Sequence, residues 1–145
     1  MVYRISSAVV VNANVSHVYK LWLKFEDFPR FMTFVKSVEI TGERTSHWVV
    51  EDPLRGKLEW DAVTTELDEN RAIAWESAGG RAKNGGRVTF APLSDGQTEV
   101  TVSIHFEVPG GILGEVLATL SGLPQRGLER DLGDFKKYAE QTASQ

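Results

Sequence analysis

Hydrophobic and polar residues trade places along this chain in two distinct rhythms. Tyr3, Ile5, Ser7, Val9 and Val11 alternate with Arg4, Ser6 and Ala8, a two-residue period that predicts a first strand. Asn12 and Asn14 then offer helix N-caps. Beyond them Val15, Val18, Tyr19 and Trp22 recur at i, i+3, i+4 and i+7, the stripe of an amphipathic helix. Proline disfavours a helical residue ahead of it, so this helix should stop before Pro29. FEDFPRFM, residues 25–32, reads as a second short helix or turn. Strand signals follow over residues 35–41, 46–51, 57–67, 71–77, 87–91 and 98–108. Turn formers separate them: Gly42-Glu43, Asp52-Pro53, Asp68-Glu69-Asn70, Gly79-Gly80, Asn84-Gly85-Gly86 and Asp95-Gly96. In the last strand Val100, Val102, Ile104, Phe106 and Val108 face one way, and Glu99, Thr101, Ser103, His105 and Glu107 the other. That alternation puts one face on a core and one in water, as in an antiparallel sheet.

Pro109-Gly110-Gly111 ends the strand series, and the period then becomes helical. Ile112, Leu113, Val116, Leu117 and Leu120 form one stripe; Leu128, Leu132, Phe135 and Ala139 form another. Gly122 and Pro124 between them predict a kink or break. The order is strand, two short helices, about six strands and a long helix from near Gly111 to about Gln141. This is an α+β pattern in which a curved antiparallel sheet of about seven strands must be covered by the long C-terminal helix. Residues 1–145 read as a single domain, with no repeat, linker or low-complexity tract.

Composition narrows the function classes. The chain has 145 residues, enough for a core without metals or disulfides, and no cysteine, which removes thiolate chemistry and suits a reducing compartment. Sixteen basic against twenty acidic residues give a net charge of −4, with no hint of the basic face that nucleic acid needs. The N-terminal apolar run is too short for a membrane span and lacks a signal-peptide cleavage pattern, so we expect a soluble cytoplasmic protein with no integral membrane segment.

The candidate chemistry is apolar. FEDFPRFM holds Phe25, Phe28 and Phe31, three of the seven phenylalanines. Either the stretch anchors a helical elbow to the core, or it rims an apolar pocket; the spacing divides it into an anchor (Phe25, Phe28) and a rim (Phe31, Met32). Trp48, Trp60 and Trp75 lie on strands, with Ala62, Thr64 and Ser77 as small inward neighbours. With Phe90 and Phe106 these rings either pack a core or line a pocket, where an indole N–H or threonine hydroxyl supplies the polar contact. His17 falls on the exposed side of the first helix and His105 on the wet face of the last strand; with His47, they have no metal-ligand spacing, so no metal is expected. No G-x-S-x-G elbow or phosphate-binding loop is present. Arg81, Lys83 and Arg87 put positive charge near one loop, either as solvated surface or, at Arg87, as a pocket-rim group orienting a carbonyl or carboxylate.

Several stretches together are similar to a known family. VVVNANVSHVYKLW, FEDFPRFM, VKSVEI, LEWDAVTTELDENRAIAWES, NGGRVTF and GLERDLGDFKKYAE run through nearly the whole chain. In this combination the sequence resembles the polyketide cyclase/dehydrase branch of the START and birch-pollen-allergen-like superfamily, which includes coenzyme Q-binding proteins. Asn14 stands where relatives often have proline. The resemblance implies a helix-grip fold with a hydrophobic ligand cavity. We place that cavity between sheet and terminal helix, expect Leu113 and Leu117 of the helical stripe to line it in part, and expect no cofactor. The resemblance does not fix a reaction, because fold alone does not fix function. A binder of a hydrophobic small molecule (quinone, polyprenyl lipid, acyl chain or aromatic polyketide) and an aromatase-type cyclase/dehydrase are the two leading expectations. The second needs a tuned acid or base in the pocket. Thr64, Ser77 and Arg87 are the inward polar candidates. A protein-interaction module acting through the outer sheet face is a third class, which the acidic balance supports little.

Overall fold

The computed structural model describes residues 2–32, 35–52, 56–80, 83–107 and 122–143. Strand β1 (Val2–Val11) leads into helix α1 (Val15–Leu23) and a 3-10 helix (Phe25–Arg30). Strands β2 (Val35–Ile40), β3 (Thr45–Asp52), β4 (Gly56–Asp68), β5 (Ala72–Gly80), β6 (Asn84–Ser94) and β7 (Gln97–Glu107) follow. Helix α2 (Gly122–Ala143) closes the described chain. The strands form one seven-stranded sheet in the order β1-β7-β6-β5-β4-β3-β2, with every neighbouring pair antiparallel. This is the helix-grip arrangement that the resemblance implies, a curled sheet with a helix on its concave side.

Local chemistry fixes the boundaries. Of the two candidate caps, Asn14 takes the role: its Oδ1 accepts from the His17 N–H at 2.9 Å, satisfying one of the free donors of the first turn. Asn70 closes the β4–β5 turn with φ of 62°, a left-handed conformation that asparagine tolerates. Strand β6 is longer at both ends than the hydrophobic run predicts. Its far end, with Pro92, passes beyond the last residue paired with β5 and pairs only with β7, so the missing proline N–H costs no ladder bond on the open side. Pro124 falls in the first turn of α2, where a missing N–H is tolerated. The upstream half of the expected terminal helix, with Leu113 and Leu117, lies outside the described residues.

The core gathers where α1, the 3-10 helix and α2 meet the sheet. Val11, Val18, Trp22, Ile73, Val88, Val100, Val102, Leu132 and Phe135 are all but fully buried. Leu128, Leu132, Phe135 and Ala139, the stripe read from the sequence, are the face that α2 buries.

Helix α2 also guards the free edge of β1. The Gln125 side chain accepts from the Ser6 N–H at 3.3 Å and donates to the Ser6 carbonyl at 2.7 Å, as a paired strand would. Further along, Glu140 accepts from the Asn12 N–H at 2.9 Å. From Ser6 to Asn12 an extended chain advances about 20 Å, and from Gln125 to Glu140 a helix rises about 22 Å. The matched lengths let one helix contact both ends of the edge, which removes a template for aggregation.

Candidate functional site

The registers set four small or polar side chains in a row across the concave face. Ser46 lies beside Ala62 and Ala62 beside Ser77; Asn84 continues the row, its N–H donating to Ser77 Oγ at 3.1 Å. Tryptophans flank the row on both sides. Trp48 and Trp60 are cross-strand partners whose rings stack at 6.2 Å with planes 3° apart. On the other side Thr64, Trp75 and Gly86 share a second row. A Cβ on Gly86 would sit 2.6 Å from the Trp75 ring and from the Ser103 carbonyl, so the absence of a side chain there lets the indole lie against β6.

Two of the three indoles are tied down by this row. Trp48 Nε1 donates to Ser46 Oγ at 2.8 Å, and Trp75 Nε1 to Asn84 Oδ1 at 3.4 Å. The third is not: Trp60 Nε1 is buried without a hydrogen-bond partner among the described residues.

Burial declines in one direction on strand after strand. Val100 and Val102 are buried on β7 but Ile104 and Phe106 only half-buried; Val88 and Phe90 are buried on β6 but Asn84 half-buried. Ile73 gives way to Trp75 and Ser77 on β5, Ala62 to Trp60 on β4, and Ser46 to Trp48 on β3. The registers place all the less buried residues toward the same end of the sheet. At the opposite end α1 fills the space: Tyr19 and Trp22 meet Phe90 edge to face at 5.5 and 6.4 Å. Burial, with the Glu69 and Asp68 charges adding to it, raises the Tyr19 phenol above its usual range.

Trp48, Trp60, Ala62, Thr64, Trp75 and Ser77 are thus brought to one surface. Other expected site residues fall elsewhere. Phe31 is not a rim residue: it is 4% exposed and packs against Phe135 at 5.2 Å and Tyr138 at 5.7 Å. The anchor of FEDFPRFM is therefore Phe28 with Phe31, while Phe25 and Met32 are partly buried against the core. Phe90 belongs to the closed end with α1. Arg87 is corrected outright. Its neighbours Gly86 and Val88 are buried on the concave face, so Arg87 points outward, where Nε donates to Glu66 Oε1 at 2.7 Å. That bond holds the Glu66 carboxyl below its ordinary range and raises the guanidinium.

His17 is also displaced from the exposed side expected for it. Its Nε2 lies 3.1 Å from the Ala139 carbonyl and 3.0 Å from Thr142 Oγ1, joining α1 to the end of α2. Sequence reasoning missed Ser46 and took Asn84 for a turn. Counting back by twos from Phe90 and Val88 through Gly86 reaches Asn84, so the strand period held the signal.

The convex face carries the charge. Besides Arg87–Glu66, His105 pairs with Glu76 at 3.2 Å, Lys36 with Glu51 at 3.2 Å, and His47 with Asp61 at 2.9 Å. The bond to Asp61, with a weaker one to Glu59, raises the His47 imidazole above its usual range. Among the described residues, no group of three or more histidine or acidic side chains is placed to hold a metal, and no helix is long and apolar enough to cross a membrane.

Known proteins share this architecture. The chain is 33% identical over 139 residues to an uncharacterised 17.2 kDa protein of Streptomyces lincolnensis, covering 95% of this chain and 90% of that one. A solved structure from Deinococcus radiodurans matches with a TM-score of 0.75 at 29% identity, over 97% of this chain and 99% of the other. The Zhui aromatase/cyclase of Streptomyces sp. R1128 matches with a TM-score of 0.79 at 18% identity, over 97% and 94%, a likeness of fold. Residues 3–140 match the family model described as polyketide cyclase / dehydrase and lipid transport, without selecting its coenzyme Q-binding branch, and the chain belongs to that family.

Proposed function

We propose that the protein, in the cytoplasm, binds a hydrophobic small molecule against the tryptophan-flanked row, between the sheet and the C-terminal helix. The decline in burial toward one end, where Trp48, Trp60 and Trp75 gather, carries this reading. A sheet that only packed a core would place its large rings where burial is complete, as it does with Phe90. Ligand sites combine an apolar wall with a few placed polar groups; Ser46, Thr64, Ser77 and Asn84 are such groups. Quinones, polyprenyl lipids, acyl chains and aromatic polyketides are the ligand classes that suit the surface, and the lipid transport in the family description agrees with it.

A second reading, an aromatase-type cyclase/dehydrase, is favoured by the likeness in fold to an aromatase/cyclase. Its difficulty is the acid or base it requires. His47, Glu66, Glu76 and His105 are paired with one another or with neighbours on the convex side, leaving hydroxyls, an amide and indoles on the row itself.

Titration with a long-chain quinone tests the binding reading: tryptophan fluorescence should quench at a stoichiometry near one, and Ala62→Phe should abolish the response with stability nearly unchanged. If the parent does not respond and Ala62→Phe loses about 1–3 kcal/mol, the row is a packed core and the reading is wrong. Turnover of a poly-β-ketone substrate by the purified protein decides for the second reading.

A further inference from the structure

The indole of Trp60 is an anomaly in its own surroundings. Buried polar groups are nearly always hydrogen-bonded, and one left unpaired costs about 1–3 kcal/mol. The two other strand tryptophans of the site obey the rule through Ser46 and Asn84. Trp60 Nε1 does not, although its ring is held in place by the stack on Trp48. A donor that is shielded from water and has no partner on the chain is left for an acceptor from outside it to satisfy.

We propose that the Trp60 indole N–H is the group that recognises the ligand, and that the ligand presents to it a neutral carbonyl oxygen, as a quinone, ketone or ester does. The inference rests on the hydrophobic-ligand reading above and narrows its substrate class. A plain hydrocarbon would leave the N–H unpaired. A carboxylate would have to be desolvated beside a neutral donor. The described strand residues that face the row (Ser46, Trp48, Trp60, Ala62, Thr64, Trp75, Ser77 and Asn84) include no lysine, arginine or histidine to balance its charge. An indole N–H is donor-only, so the ligand atom must be an acceptor. The N–H is covered in this structure, so the carbonyl reaches it only where that cover gives way.

The test compares two probes of nearly one shape, 2-methyl-1,4-naphthoquinone and 2-methylnaphthalene, by equilibrium dialysis. The chain has no cysteine for the quinone to alkylate. The quinone should bind the parent about tenfold more tightly, and Trp60→Phe should erase that preference while still binding the hydrocarbon. The indole N–H resonance of Trp60 in the 15N-labelled parent should move downfield with the quinone and stay in place with the hydrocarbon, a readout that needs no variant. Equal binding of both probes with an unmoved resonance overturns the role of Trp60 and leaves the hydrophobic-ligand reading standing. Binding of neither probe overturns both.

Discussion

Trp22, Phe31 and Phe135 converge where three helices meet the sheet, with Trp22 and Phe135 edge to face at 4.8 Å. Each ring fills space that no neighbour can close, so truncation leaves a cavity. Phe135→Ala and Phe31→Ala should each cost about 3–5 kcal/mol in chemical denaturation. His105→Ala should stay within about 0.5–1 kcal/mol of the parent, because its partner Glu76 is exposed and surface pairs contribute little. A Phe31→Ala loss as small as that of His105 would return Phe31 to a rim role. At this scale the sequence was legible for spacing and illegible for direction. The triplet Phe25, Phe28, Phe31 announced an aromatic elbow, but a 3-10 turn puts residues three apart nearly over one another. Which ring enters the core then depends on α2, far away in sequence. Arg87 was legible in principle: it sits between Gly86 and Val88, and strand parity alone sends it outward.

Between elements, the join of α2 to β1 is a matched pair of clamps, Gln125 on Ser6 and Glu140 on Asn12. No periodicity announces such a join, because each clamp is one half-buried polar residue outside the apolar stripe of the helix. The strands were legible because one face is wet, whereas the length of β6 was not, since it depends on which neighbour each end has. Glu140 also accepts from Lys136. That bond, followed by the one from the Asn12 backbone, holds its carboxyl below the ordinary 4.5. A folded-state pKa below the unfolded one means that Glu140 stabilises the protein above about pH 4.5, and that the contribution is lost as pH falls through the folded value. Glu140→Gln should therefore cost about 1 kcal/mol at neutral pH. The gap between parent and variant should close as pH falls below 4.5, read from denaturation midpoints across pH. A gap that persists in acid would mean that the carboxylate charge is not what holds the clamp.

Among the described residues the sheet divides its chemistry by face: its ion pairs lie on the convex side, and Trp48, Trp60 and Trp75 on the concave one. That single sheet runs from β1 to β2 without a break, and α1, the 3-10 helix and α2 all pack into one continuous core. Because that core is one cluster, the protein should melt as one cooperative unit. A ligand held between sheet and helix exists only for the folded form and must shift that whole transition. At a hundredfold excess over its dissociation constant a naphthoquinone probe should add about 2.7 kcal/mol. In a chain of this size that moves the midpoint up by about 5–10 °C in a thermal scan. Ala62→Phe, with the row filled, should melt at the parent's unliganded midpoint whether or not the probe is present. Two separate transitions in the parent would break the single-domain reading. One transition that the probe leaves unmoved would mean that nothing is held between the layers, and that the concave face is a core and no more.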